Sequence, residues 1–310
     1  MEFRILKQIV WLVGLALSLQ ACTKEVHIEI PGYQNQLVVD GSIETGMPAI
    51  VLLSRSNNVY DATNYQAYLN SFVDDAVVVL SNGSQTDTLQ KICTDALPPG
   101  LETYAAALFG LPVEIITTLH LCAYVSMNMV GEVGKTYSLK IEHQGKTYQA
   151  SSTIAQPVAL DSLYWKPEGN FTDRGYSWAK LSDPANTTDA YCWQVKYLSE
   201  PGFSKTFNPY FNDNFFNGLT FEFAYENPMS FKDTTAQNPY RGYFKQHDTL
   251  VVKFSRIGKK EYNFFEKKYN QLYSGGSPFA VPTNIPTNIT GGALGVWVAY
   301  SPFQDTLICQ

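Results

Sequence analysis

The sequence predicts a mainly β protein, with a β-sandwich in its N-terminal half and a second β-rich domain that contains one amphipathic helix. Short runs of apolar and β-branched residues alternate with turn signals along most of the chain, a pattern that is typical of antiparallel strands. Tyr and Phe occur 20 and 18 times, and charged residues make up only 16% of the 310 residues. Because strands favour aromatic and β-branched side chains, this composition agrees with the strand pattern.

The chain begins with the features of an exported bacterial lipoprotein. Arg4 and Lys7 precede an apolar run over residues 9–17, which is shorter than the roughly 20 apolar residues that a membrane-spanning helix needs. A basic start, a short apolar run and a small residue before the cut are typical of a cleaved signal peptide. We therefore expect cleavage between Ala21 and Cys22, with lipidation of Cys22. The alternative for residues 9–17 is a permanent membrane anchor or the start of a buried helix.

Turn signals and strand runs divide the chain into four segments. The predicted segments are a signal peptide (1–21), a tether (22–33), a β-sandwich domain (34–155) with a helical insertion near 97–120, and a second β-rich domain (156–310). The net charge is −6, and no dense block of Lys and Arg follows residue 21. A nucleic-acid partner is therefore not expected. An acidic body gains nothing from anionic lipid headgroups, so the lipid itself would hold the protein to a membrane.

Six strands are predicted in the sandwich domain, with turns at 81–84 and 143–146. They cover residues 36–43, 49–55, 76–80, 86–89, 136–142 and 147–152. Pro99 and Gly100 precede an Ala-rich and Leu-rich stretch, which predicts a short helix over 101–109. The apolar tail of this insertion, 111–121, is expected to pack over the sandwich; the alternative is an exposed contact surface.

Five strands and one helix are predicted in the second domain. The strands cover residues 160–165, 177–181, 190–197, 248–254 and 295–301. The helix covers about 259–273, where Tyr262, Phe265, Tyr269 and Leu272 recur at steps of three and four residues and form one apolar face.

Four cysteines follow the predicted lipidation site. Cys93 and Cys122 lie in one predicted domain and flank a single insertion, so we expect them to form a disulfide, which an exported protein can keep. Cys192 and Cys309 are then the remaining candidate pair, although sequence spacing does not show that their Cα atoms approach each other. No two cysteines lie two to four residues apart, so a zinc site is not expected.

The motifs of common enzymes and cofactor sites are absent from the sequence. The four histidines have no metal-ligand spacing, and no Gly-X-Ser-X-Gly, His-Glu-X-X-His or Walker motif occurs. The segment 183–189 contains two aspartates but lacks the alternating carboxylates of a calcium loop, so it is interpreted as a turn. We therefore assign no catalytic residue, no metal and no cofactor.

The segment 203–244 is rich in aromatic residues and contains the best binding candidates. Asn residues interleave with its rings, and aromatic rings beside amides suit a sugar face, a peptide or a partner protein. The stretch 208–217 does not alternate as a strand should, which predicts a surface loop with Tyr210, Phe211, Phe215 and Phe216 as partner-binding residues. The alternative is that many of these rings fill the core of the second domain.

Several segments in a fixed order are shared with one known family. They are QLVVDGSI (36–43), LSRS (53–56), GEVGKTY (131–137), VALDSL (158–163), PFAVPTNI (278–285) and TNITGGALG (287–295). Together with Cys22, this series resembles the Bacteroidetes lipoproteins classed under domain of unknown function forty-two forty-nine. The resemblance implies an outer-membrane lipoprotein with an immunoglobulin-like or transthyretin-like N-terminal sandwich. Such proteins are often encoded beside TonB-dependent receptors, and the family has no established catalytic residue.

Three functions follow as hypotheses. The first is a non-enzymatic, lipid-anchored binding protein that serves as an accessory of a TonB-dependent transporter in the outer membrane. The alternatives are a structural, adhesive or envelope-assembly lipoprotein, and a hydrolase with an unrecognised site. The sequence leaves open which face of the outer membrane carries the protein.

Overall fold

The mainly β fold is confirmed. The computed structural model describes residues 35–56, 64–232, 239–274 and 284–310. The predicted signal peptide and tether, with Ala21 and Cys22, lie outside the described residues, so their assignment stays a prediction. No helix in the described ranges is both long enough and apolar enough to cross a membrane.

Two sheets face each other in the N-terminal part and form the expected sandwich. Its strands are β1 (Leu37–Glu44), β2 (Pro48–Arg55), β3 (Val77–Ser81), β4 (Thr86–Thr88), β5 (Gln90–Cys93), β6 (Cys122–Val130), β7 (Thr136–His143) and β8 (Lys146–Thr153). One sheet has the order β4-β3-β7-β8, and the other contains β1-β2-β6-β5. Each of these neighbouring pairs is antiparallel.

Alternation along the strands builds the core between these two sheets. In β7, Tyr137, Leu139 and Ile141 are buried, whereas the residues between them are exposed. They belong to the same hydrophobic cluster as Val39 and Leu53 of the opposite sheet. Burying a side chain of this size contributes about 1.5–3 kcal/mol, so the two-residue period of β7 fixes which of its faces turns inward.

The insertion, residues 94–121, contains two α-helices instead of the one expected, preceded by a 3₁₀ turn at Thr94–Ala96. The helices of the N-terminal part are α1 (Tyr65–Asn70), α2 (Glu102–Phe109) and α3 (Val113–Ile116). Phe109 and Ile116 of the insertion pack with Ala123 of β6 in a separate cluster on the outer face of the sheet. The expectation that the apolar tail 111–121 packs over the sandwich is therefore confirmed by Ile116 and Leu121, which are buried in this cluster.

The C-terminal part is built in three layers. Its elements are β9 (Ser162–Pro167), β10 (Arg174–Ser182), β11 (Ala190–Tyr197), β12 (Ser204–Asn212), β13 (Thr220–Tyr225), β14 (Phe244–Lys245), β15 (Thr249–Ile257), α4 (Lys259–Ser274) and β16 (Leu294–Ile308). A small sheet of β9, β10, β13 and β14 covers one face of the sheet β12-β11-β15-β16. Helix α4 covers the opposite face, where Phe265 packs with Tyr210 and Val298.

The last strand, β16, belongs to both parts. Residues 294–300 of β16 pair in parallel with β1, and residues 301–308 pair antiparallel with β15. The result is one eight-stranded sheet in the order β12-β11-β15-β16-β1-β2-β6-β5. Trp297 is buried in the N-terminal core, so the sequence division at residue 155 does not assign every core residue of the sandwich to residues 34–155. The two-domain division itself stays a prediction.

The surface loop predicted over 208–217 is wrong for its first half. Residues Ser204–Asn212 form β12, which pairs with β11. The register shifts between Cys192 and Gln194, which face Tyr210 and Lys205 respectively. Four residues of β12 therefore lie between two pairs that are only two residues apart on β11, and such a bulge breaks the alternation from which a strand is recognised.

The expected pairing of Cys192 with Cys309 is also wrong. Both cysteines are free and buried. Cys192 packs in the cluster between the sheet and α4, whereas Cys309 packs in the cluster on the opposite face of the same sheet. Two thiols on opposite faces of a sheet cannot approach within the range that a disulfide requires. Cys93 and Cys122, in contrast, form the expected disulfide.

Candidate functional site

An apolar cavity of about 310 Å³ lies between the insertion and the outer face of the N-terminal sheet. The strands β2, β5 and β6 provide its floor, and the segment from Leu97 to Phe109 provides its roof. Side chains that line it are Ile50, Ile92, Val125, Leu101, Ala105 and Leu108. A volume of 300–1,000 Å³ with mainly apolar walls is typical of small-molecule sites, and an apolar cavity does not hold ordered water well.

Among the described residues that line the cavity, only Thr94 and Tyr104 carry hydroxyl groups. The hydroxyl of Thr94 donates to the carbonyl oxygen of Leu119 and accepts from the backbone N–H of Leu121 at 3.1 Å. It is therefore satisfied within the protein and does not require a polar ligand atom. Tyr104 is 51% exposed and Leu101 is 42% exposed, so the cavity opens to solvent beside two large side chains.

The Cys93–Cys122 disulfide lies at the base of the insertion. These two cysteines face each other in the register of β5 and β6, with their Cα atoms 4.0 Å apart. The next pair outward, Thr94 and Leu121, is joined by a backbone hydrogen bond of 2.9 Å. Both ends of the insertion are thus fixed to the same strand pair, and this attachment holds the roof of the cavity over its floor.

A charged cluster lies on the surface near this disulfide. The Nδ1 atom of His120 is 2.8 Å from a carboxylate oxygen of Asp95, and its Nε2 atom is 3.5 Å from Asp74. The hydrogen bonds to Asp95 and Asp74 raise the pKa of His120 above 6.5. Although His120 is close to both cysteines, their sulfur atoms are bonded to each other and are not available as metal ligands.

The predicted partner-binding residues do not share one surface. Tyr210 is buried, and its ring stacks on Phe265 with centroids 4.0 Å apart. Phe211 packs against the core of the C-terminal part. The ring centroids of Phe216 and Phe221 are 4.0 Å apart in the same cluster. The prediction of a contact surface is therefore wrong for Tyr210, whose ring is buried, whereas Phe211 and Phe216 are partly buried against the core. Phe215 is 95% exposed and stays a candidate.

Three buried carboxylates come together in the C-terminal part. Asp183, Asp189 and Asp213, here called the carboxylate triad, offer oxygen atoms within 4.8 Å of one another. Tyr191 donates its hydroxyl proton to Asp183 at 2.6 Å, and the guanidinium group of Arg256 contacts Asp189. Burial, together with the charges of Asp189 and Asp213, raises the pKa of Asp183.

A family model for a domain of unknown function (DUF4249) matches residues 23–306. The chain belongs to the DUF4249 family. The match includes both parts of the fold, so the family itself is confirmed, while the Bacteroidetes lipoprotein assignment stays a prediction.

Other comparisons add little to the family assignment. No curated protein matches this DUF4249 chain. Among solved structures, domains A168–A170 of titin are similar to it, with 7% sequence identity and a TM-score of 0.20. That match covers 72% of this chain and 60% of the titin segment.

Two groupings in this DUF4249 chain escaped the sequence analysis. The sequence predicts a turn at 183–189, and Asp213 lies 24 residues beyond Asp189, so no local spacing joins the three aspartates. The cavity combines three strands with a helix, and its lining residues have no common motif. The apolar character of 101–121 was the available signal, and it indicated packing over the sheet without indicating a gap beneath the helix.

Proposed function

We propose that this DUF4249 protein is a lipid-anchored, non-enzymatic binding protein of the outer membrane, and that the cavity beneath the insertion holds an apolar ligand. The protein would act as an accessory of a TonB-dependent transporter. The single observation that carries the binding role is the cavity of about 310 Å³ with apolar walls.

The composition of the walls supports an apolar ligand over a polar one. A polar ligand buried against Ile50, Leu108 and Val125 would lose its hydrogen bonds to water without replacement, which is unfavourable. An acyl chain or another hydrocarbon group would instead remove apolar surface from water on both sides of the contact.

The N-terminal sequence supports the membrane location. Ala21 and Cys22 follow a basic start and a short apolar run, as in a lipoprotein signal. Replacing Cys22 by Ser should move the protein from the membrane fraction to the soluble fraction, because no lipid would then be attached. Retention of the Cys22→Ser protein in washed membranes would contradict the anchoring proposal.

Binding to the cavity can be tested with the fluorescent apolar probe N-phenyl-1-naphthylamine. The variant Ala105→Phe places a ring in the cavity and should weaken probe binding about tenfold or more, equivalent to about 1.4 kcal/mol. Ala107→Phe is the matched control, because it makes the same change in the same helix at an exposed position.

A second variant keeps this test valid if Ala105→Phe does not fold. Tyr104 is exposed at the mouth of the cavity, so Tyr104→Ser should leave the fold intact and still weaken probe binding. Equal probe affinity in the wild type, Ala105→Phe and Ala107→Phe would refute the cavity as the binding site.

The transporter partnership has its own test. A tagged copy of the protein, purified from gently solubilised membranes, should carry an outer-membrane barrel identified by mass spectrometry. Recovery of a polymeric surface structure in place of a barrel would contradict the accessory role.

A further inference from the structure

We propose that Asp183, Asp189 and Asp213 form a calcium-binding site that joins two loops at one end of the C-terminal part. The loop 183–189 connects β10 to β11, and the loop 213–219 connects β12 to β13. This site is separate from the apolar cavity and does not depend on the binding function proposed above.

The protein holds the two loops against each other. The backbone N–H of Asp213 donates to the carbonyl oxygen of Asp189 at 3.0 Å, and that of Gly218 donates to the Asp183 carboxylate at 3.1 Å. A Cβ atom on Gly218 would lie 2.8 Å from the Cβ of Ala185, so only glycine permits this approach. The three carboxylates are therefore positioned by backbone contacts.

One buried carboxylate oxygen of the triad has no hydrogen-bond partner among the described residues. Asp213 is only 1% exposed. Its Oδ2 atom accepts a hydrogen bond from the backbone N–H of Asp189 at 2.6 Å, whereas its Oδ1 atom has no hydrogen-bond partner within the described ranges. A buried carboxylate oxygen without a partner is unfavourable unless a cation or another ligand compensates for its lost hydration.

The carboxylate triad and Arg256 together carry a net negative charge that one divalent cation would neutralise. The three ionised carboxylates of the triad carry three negative charges, and Arg256, which contacts Asp189, supplies one positive charge. Arg256 is also held in place by a hydrogen bond to the carbonyl oxygen of Gln156 at 3.3 Å. One divalent cation would bring the net charge of this buried group to zero, which removes most of the cost of burying it.

The chemistry of the ligands favours calcium. Every member of the triad offers carboxylate oxygens, which are the ligands of hard cations. Magnesium demands octahedral geometry and usually keeps several water molecules, whereas calcium accepts irregular protein cages with six to eight oxygens. The burial of all three aspartates leaves little space for a hydrated ion and therefore favours calcium.

Calcium binding by the full chain can be measured after treatment with EDTA. Isothermal titration calorimetry with CaCl2 should show one calcium ion per chain, and Asp213→Asn should weaken this binding about tenfold or more, because carboxylate charge sets calcium affinity. Asp161→Asn is the matched control. It removes an exposed carboxylate whose Oδ2 accepts a hydrogen bond from Ser182, the residue that precedes Asp183. This variant should change the calcium affinity less than about twofold.

Terbium provides a second and independent measurement. The hydroxyl of Tyr191 is hydrogen-bonded to Asp183, so Tb³⁺ in the site should emit on excitation of tyrosine, and Ca²⁺ should quench this emission by displacement. If Asp213→Asn does not fold, Asp183→Asn takes its place with the same expected loss. The proposal is overturned if the wild type binds no calcium up to about 10 mM, above the range of weak protein sites, or if the folded variant binds calcium as the wild type does.

Discussion

Removing the Cys93–Cys122 disulfide tests whether the base of the insertion is held as the structure implies. The two residues are 29 apart in sequence, and a cross-link across a loop of this length restricts the unfolded chain and raises its free energy by about 3.5 kcal/mol at 25 °C. The double variant Cys93→Ala/Cys122→Ala should therefore lose about 3.5 kcal/mol of unfolding free energy. Alanine is preferred to serine because Cys122 is buried and alanine adds no polar group to that position.

Urea denaturation followed by tryptophan fluorescence gives the measurement. With a urea dependence of about 2–3 kcal/mol/M, the midpoint should fall by roughly 1–2 M. The wild type in a reducing buffer is the control, because Cys192 and Cys309 are already free and the reductant should not alter them. Oxidised, reduced and variant proteins with the same midpoint would refute the reasoning.

The same variant provides a second measurement at the cavity. The disulfide holds both ends of the insertion on β5 and β6, so its loss should weaken binding of the apolar probe even in conditions where the protein is folded. Unchanged probe binding would show that the remaining contacts, such as the backbone bond from Thr94 to Leu121, suffice to hold the roof in place.

Three further predictions concern other parts of the molecule. Gly295→Ala should lower stability by about 3 kcal/mol or more, seen as a lower thermal midpoint in circular dichroism, because its φ is 100° and the new Cβ would lie 1.9 Å from the carbonyl oxygen of Val39. Tyr210→Ala should lower the unfolding free energy by about 3–5 kcal/mol, whereas Phe215→Ala should change it by less than about 0.5 kcal/mol. Similar urea midpoints for these two variants would contradict the assignment of Tyr210 to the core. NMR titration should give His120 a pKa above 6.5, owing to its carboxylate partners. Because the pKa is raised in the folded state, these contacts stabilise the fold fully below the pKa of the unfolded state, and this stabilisation is lost as the pH rises through the pKa of the folded state. The same His120 pKa in wild type and Asp95→Asn would contradict the pairing.

Elements with one buried face were predictable from the sequence. Strands β7 and β8 follow their expected period, because one side faces a core and the other faces water. Helix α4 does so as well, except at Leu272, which was expected on the apolar face and is exposed. The bounds of these elements differ from the predicted ones by one or two residues, which is the normal uncertainty at the ends of such elements.

Strand β6, whose first residues are covered on both faces, was missed. The first residues of β6, Cys122 to Tyr124, are all buried, because the sandwich core covers one face and the insertion covers the other. Such a strand shows no alternation and cannot be distinguished from the apolar tail of the insertion by period alone. The predicted helical insertion was thus located correctly, while the strand that follows it was not recognised.

Which residues meet in the candidate sites also depends on which strands pair in the fold. The carboxylate triad depends on β11 and β12 being neighbours with a bulge between them, a register that no local pattern of Asp189 or Asp213 indicates. The rings of 203–244 posed the opposite problem, since aromatic density indicates either a core or a contact surface. Only the pairing of the strands decides that Phe211 faces inward while Phe215 projects into solvent.

The shared strand β16 couples the two parts of the fold. Its first half contributes Trp297 to the N-terminal core, where the indole N–H donates to the carbonyl oxygen of Tyr137 at 3.0 Å. Its second half pairs with β15 in the C-terminal part. Pro302 lies where β16 exchanges one set of partners for the other, and a position at the end of a ladder tolerates the missing N–H of proline. A fragment that ends at residue 155 would therefore leave the place of Trp297 in the sandwich unfilled, and the stability of each part depends on the same strand.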